Sequence, residues 1–163
     1  MGVDIHLFLV KDKKMVREGN IFNGRNSEWF ANIQGNGDDD IYDTFPVYKY
    51  DVSDQAPDEL IKKAHGDWYY GYRSIRVGDF KAWFEKHHPD KQAGWVTTYE
   101  KWRYEKQGVI PYDSKHHLDK DDIIEDWCFI EWEDPYDCSR WLYNYLIEGE
   151  IDDDADITYW FDC

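Results

Sequence analysis

The sequence predicts an α+β fold: a single domain over residues 1–163, with a mostly antiparallel β-sheet and three to four helices packed on it. Three observations predict this. Segments alternating at period two and segments with apolar residues at helical spacing follow one another irregularly, unlike the regular strand–helix repeat of a parallel sheet. The first strand leads into a hairpin turn, which joins antiparallel neighbours. The 163 residues are 42% hydrophobic, with 9 Trp, 13 Tyr and 8 Phe, enough for a core without disulfides or metals.

Val3 to Val10 reads as a strand, with Val3, Ile5, Leu7 and Leu9 on one face. Asp12-Lys13-Lys14 offers a turn and Met15-Val16-Arg17 a returning strand. Residues 20–52 are rich in Asn, Gly and Asp and read as a long irregular segment, functional or carrying short elements. Ala56-Pro57-Asp58-Glu59 opens a helix that Gly66 closes. Trp68 to Arg76 has strand composition, with Trp68, Tyr70 and Tyr72 on one face. Phe80, Trp83 and Phe84 define a helix ended by Pro89. Trp95, Tyr99 and Trp102 predict another from about Trp95 to Gln107, stopped by Gly108. Trp127 to Trp132 alternates as a strand. Asp134-Pro135 opens a helix with an apolar stripe of Cys138, Trp141, Leu142, Tyr145 and Leu146, and Gly149 closes it. Ile157, Tyr159 and Phe161 form the last strand. The helices are expected on one face of the sheet.

The charge is uneven. Nineteen bases against thirty-five acids give −16 overall, but residues 1–67 carry −5, residues 68–117 carry +3 and residues 118–163 carry −14. Such acidity argues against direct binding to a nucleic-acid backbone. The start carries no basic n-region and no stretch approaches 18 apolar residues, so neither a secretory signal nor a membrane span is expected. Cys128, Cys138 and Cys163 are odd in number and lack C-x-x-C spacing. They read as reduced thiols of a cytoplasmic protein.

The opening Met1-Gly2-Val3-Asp4-Ile5-His6, followed by Asn23-Gly24-Arg25-Asn26-Ser27-Glu28-Trp29-Phe30, resembles a group of bacteriophage proteins. These begin Met-Gly-x-Asp-Ile-His and carry an Arg-Asn segment a few dozen residues later. The resemblance implies a phage source and an accessory product acting in the host cell cytoplasm. It transfers no catalytic roles.

Phosphate-loop, nucleophile-elbow and zinc-protease motifs are absent, and no cysteine has a His near it in sequence. Catalytic residues and cofactors are therefore not expected. Asp4 and His6 share one side of the first strand and are the weak candidates for a metal site, as of a metal-dependent hydrolase. The structural alternative is that Asp4 orients His6. The pairs His87-His88 and His116-His117 diverge and cannot chelate unaided. Asp152, Asp154 and Asp156 begin like a calcium loop, but Ile157 stands where Gly is needed and Cys163 where Glu is needed.

The net-positive zone is more informative. Tyr70, Tyr72, Arg73 and Arg76, joined by Arg25 and Asn26, combine rings that stack on bases with guanidinium forks for phosphate. They predict capture of a small nucleotide-like ligand by a non-catalytic counter-defence protein. The structural alternative is an aromatic strand under helices, with its arginines paired to acids. A second functional reading is a DNA-mimicking inhibitor that meets a basic host protein through Asp121, Asp122, Glu131, Glu133, Asp152, Asp153 and Asp154. Homo-oligomerisation is compatible with either.

Overall fold

The structure is a computed structural model describing residues 3–34, 41–134 and 138–162. It has the α+β, largely antiparallel architecture that the sequence predicts. Within it, contacts separate two compact units: residues 1–87 with 138–163, and residues 88–137. Among the described residues no helix is long and apolar enough to cross a membrane.

The first unit is built on β1 (Asp4–Lys11) and β7 (Asp156–Asp162), which pair antiparallel from Asp4↔Asp162 to Val10↔Asp156. β4 (Tyr70–Arg76) flanks β7. The other edge of β1 is shared by β2 (Lys14–Met15) and β3 (Phe22–Arg25). Asp12 and Lys13 make the hairpin turn with φ of 52° and 65°, the left-handed pair that matches strand twist in a two-residue loop.

Alternation sorts the side chains onto two buried faces. Ile5, Leu7, Leu9, Ile75, Ile157, Tyr159 and Phe161 face one core. It is completed by α1 (Ser27–Ile33), α3 (Val77–His87) and α5 (Cys138–Glu148), through Trp29 and Ile33, Phe80, Trp83 and Phe84, and Leu142 and Leu146. Phe8, Val10 and Trp160 face a second core, covered by α2 (Asp58–Gly66) with Val52 and Ala56. Helices therefore pack on both faces rather than one. β1 and β7 are central strands buried on both sides, which is why their sequences read as nearly continuous apolar runs.

The irregular segment carries β3, α1 and a 3-10 turn at Tyr42–Thr44. Asn26 caps α1: its Oδ1 accepts from the Trp29 backbone N–H at 2.9 Å. Residues 48–53 are stitched to the sheet by Tyr48 N–H to Ser74 O, Ser74 N–H to Lys49 O, and the Ser74 hydroxyl to Asp51 O.

The second unit holds β5 (Lys91–Thr97) paired antiparallel with β6 (Trp127–Glu133), and α4 (Thr98–Gln107). This corrects the helix expected from Trp95. The chain stays extended through Thr97, whose hydroxyl caps α4 by accepting from the Glu100 N–H at 3.2 Å. Gly108 ends α4 with φ of 66°, the left-handed C-terminal stop. α4 contains no buried residue, so Tyr99 and Trp102 are not core. Pro135, expected at the start of α5, and Cys163 lie outside the described residues; Cys128 and Cys138 carry free thiols.

Candidate functional site

A bulge between Tyr70 and Arg73 separates the sequence candidates on β4. At its centre Gly71 has φ of +68°. The extra residue reverses the alternation, so Tyr70 and Tyr72 do not share a face. Tyr70 lies against Phe161 in the first core and Tyr72 against Trp160 in the second. Trp68 precedes the strand and is almost fully exposed. Beyond the bulge Arg73 and Arg76 are three residues apart, an odd separation that puts them on opposite faces. The predicted constellation is thus divided.

Four of its members are engaged within the fold. The Tyr72 hydroxyl lies 2.8 Å from Ala64 O and 3.0 Å from Tyr69 O, tying β4 to α2. Asn26 is the α1 cap, and its amide reaches Cys138 Sγ at 3.1 Å. Arg25 Nε donates to Asp4 Oδ1 at 2.6 Å. Arg76 Nε donates to Asp156 Oδ1 at 2.9 Å. Asp156 is fully buried and also accepts from the Tyr48 hydroxyl and, at 2.6 Å, from the Ser53 hydroxyl. Burial, with the Asp156 carboxylate beside it, pushes the Tyr48 phenol up from its ordinary value. Asp156 is a satisfied anchor for the segment lying over the second face.

Arg73 differs. Its Nη1 donates to Gly71 O at 2.8 Å and its Nη2 to Gln34 O at 2.9 Å, and its guanidinium lies 5.2 Å from the centre of the Tyr50 ring. Neutral carbonyls and a ring hold it, and no carboxylate pairs with it among the described residues. A guanidinium has five N–H groups, so donors remain. Arg73 lines a cavity of about 170 Å³ with Gln34 from the end of α1, Tyr42 and Asp43 from the 3-10 turn, and Tyr50. Apolar walls come from Ile33, Phe45 and Val47. Tyr50 is 74% exposed. The site thus offers a positioned cation, an open ring and a carboxylate acceptor. Its volume suits one ring or one phosphate group, below the roughly 300 Å³ at which whole-ligand pockets begin.

The sequence reading missed Gln34, Tyr42, Asp43 and Tyr50, all inside the segment read as irregular. The available signal was aromatic residues (Tyr42, Tyr48 and Tyr50) recurring in an otherwise polar stretch.

The two motif segments of the phage resemblance lie side by side, with Asp4↔Arg25, Ile5↔Gly24 and His6↔Asn23 in register. Asp4 and His6 do share a face, but Asp4 does not orient His6. Asp4 pairs with Arg25, whose guanidinium holds the carboxyl below the usual carboxylate range. His6 Nε2 lies 2.9 Å from Asp162 Oδ2, with its ring against Tyr69. Among the described residues no three His, Cys, Asp or Glu side chains are grouped to hold a metal ion.

The acidic candidates divide between the units. Asp121, Asp122, Glu131 and Glu133 belong to the second, and Asp152, Asp153 and Asp154 to the first. Lysines neutralise three of them: Lys115 at Asp122, Lys11 at Asp152 and Lys81 at Asp153. Three of the seven carboxylates that a phosphate mimic would present are thus balanced by lysines within the chain.

The chain matches no protein-family model, no curated protein and no solved structure.

Proposed function

We propose that this protein is a non-catalytic binding protein that captures a small nucleotide-like anion at the Arg73 cavity. The observation that supports this is Arg73 itself. In a chain with 35 acids it is held in place by two carbonyls beside an open aromatic ring, without a carboxylate partner among the described residues. The phosphate takes the free guanidinium N–H groups. The base stacks on Tyr50, and Asp43 accepts from a base N–H. One end of the ligand fills the cavity and the rest lies over Tyr50. Following the resemblance of its opening segments, we assign the protein to a phage, acting in the host cytoplasm by withdrawing a nucleotide signal used in defence.

Calorimetric titration with a panel of nucleotides and cyclic oligonucleotides tests this reading. Arg73→Ala is expected to weaken the best ligand by about 1.5–3 kcal/mol, the worth of hydrogen bonds to a charged group. Tyr50→Ala is expected to cost about 1–3 kcal/mol through lost stacking. Arg25→Ala is expected to change nothing, since Arg25 is committed to Asp4. A panel without a binder, or an Arg73→Ala protein that binds as tightly as the parent, rejects the proposal.

A further inference from the structure

The second unit carries two exposed surfaces that complement each other. α4 places Tyr99, Trp102, Arg103 and Lys106 on one helical face, at spacings of three and four. Tyr99 is 64% and Trp102 48% exposed, and their rings stack with centres 6.1 Å apart. Arg103 lies 5.7 Å from the centre of the Tyr99 ring. The carboxylate of the same helix nearest the loop, Glu100, is occupied by the backbone N–H groups of Tyr112 and Asp113. Lys101 and Glu105 pair with each other on another side. The face is thus aromatic and basic in a unit that is otherwise strongly acidic.

The second surface is Asp121-Asp122-Ile123-Ile124-Glu125-Asp126. Ile123 is 59% and Ile124 73% exposed, and consecutive exposed isoleucines ordinarily seek cover. Asp122 is taken by Lys115 and by the Asp119 N–H. Asp121, Glu125 and Asp126 are exposed around the isoleucines. This segment is apolar at its centre and anionic at its rim. The α4 face is apolar at its rings and cationic at Arg103 and Lys106.

We propose that a second copy of this chain is the occupant: the aromatic and basic face of α4 on each copy seats the acid-flanked Ile123–Ile124 of the other. Charge complementarity selects this partner. Each copy supplies both halves, so the two contacts form a reciprocal pair, as a two-fold interface requires. The inference does not rest on the Arg73 site.

Sedimentation velocity of the full chain across a concentration series tests it. The parent is expected to associate at about 0.1 M salt and to dissociate partly at about 1 M, where screening shortens the Debye length from about 10 to about 3 Å. Arg103→Glu/Lys106→Glu and, separately, Asp121→Lys/Glu125→Lys are each expected to lower the association constant by about tenfold or more through like-charge contact. Mixing the two variants gives a pair in which one contact has both signs exchanged and the other is as in the parent, and is expected to restore association. Circular dichroism checks that the exposed substitutions leave the fold intact. A parent that stays monomeric throughout overturns the proposal and leaves the α4 face to a foreign acidic partner. So does an association indifferent to either charge reversal, or a mixture that fails to reassociate.

Discussion

Replacing Gly71 with Ala probes the bulge that divides β4 and anchors Arg73. A Cβ at this position would lie 2.5 Å from Phe161 Cδ2 and 2.8 Å from its Cε2. Phe161 is fully buried in the first core, wedged against Phe30, Tyr70 and Tyr159. The ring is therefore expected to yield only by displacing packed neighbours. Two costs add. The left-handed backbone at φ of +68° charges an L-residue about 1–2 kcal/mol. Overpacking against a fixed ring adds about 1–3 kcal/mol. The sum of about 2–5 kcal/mol corresponds to a fall in melting temperature of about 4–20 °C for a chain of this length. Gly19 supplies the control. Its φ is +72° and nothing lies within 4 Å of an added Cβ, so Gly19→Ala incurs the backbone cost alone. Urea unfolding of both variants, compared at constant m-value, isolates the steric part. Equal losses would refute the argument, because they would mean that the Phe161 ring is free to move away from Gly71.

Two further predictions follow from the polar anchors. Arg76→Ala leaves the buried Asp156 carboxylate with two hydroxyls and no cation. The expected loss is about 1–3 kcal/mol, below the roughly 3–5 for a fully buried pair because Arg76 is half-exposed. Adding Asp156→Asn should recover part of it, and strictly additive losses in chemical denaturation would show that the two residues are not coupled. At the sheet end, Arg25 holds Asp4 below the ordinary carboxylate range. A carboxyl lowered in the folded state stabilises fully above its unfolded value near 4 and loses that contribution as pH falls through the folded value. A carbon-detected NMR titration should show Asp4 ionising at lower pH than an ordinary aspartate, and Arg25→Ala should move it back up. An Asp4 that titrates in the ordinary range in the parent contradicts the ion pair.

Much of the fold was legible locally. β1, the hairpin after it, α2, α3, β6, α5 and β7 follow from period-two and helical spacing with turn and stop residues at their ends. The exception is instructive. Trp95, Tyr99 and Trp102 have helical spacing, yet β5 runs through Trp95 to Thr97 because all seven of its residues pair with β6, thirty or more positions away. The sequence held a competing sign in Thr97-x-x-Glu100, a helix-start pattern placing the boundary after Thr97. Parity alone separates Arg73 from Arg76, whereas the bulge that separates Tyr70 from Tyr72 has only Gly71 as its local mark.

The sequence by itself determined the class of the fold, the uneven charge, the strands that form the sheet and Arg73 as a candidate ligand group, because these depend on composition and on periodicities within one element. Only the tertiary structure decided that Arg25 and Arg76 are committed to Asp4 and Asp156, while Arg73 is held by the carbonyls of Gly71 and Gln34 and stands over Tyr50 at a cavity. The physical reason is that an arginine's availability depends on which carboxylate lies within hydrogen-bond reach. Asp156 is 80 residues from Arg76 and Asp4 is 21 from Arg25, so strand register sets those distances, and no local pattern encodes it.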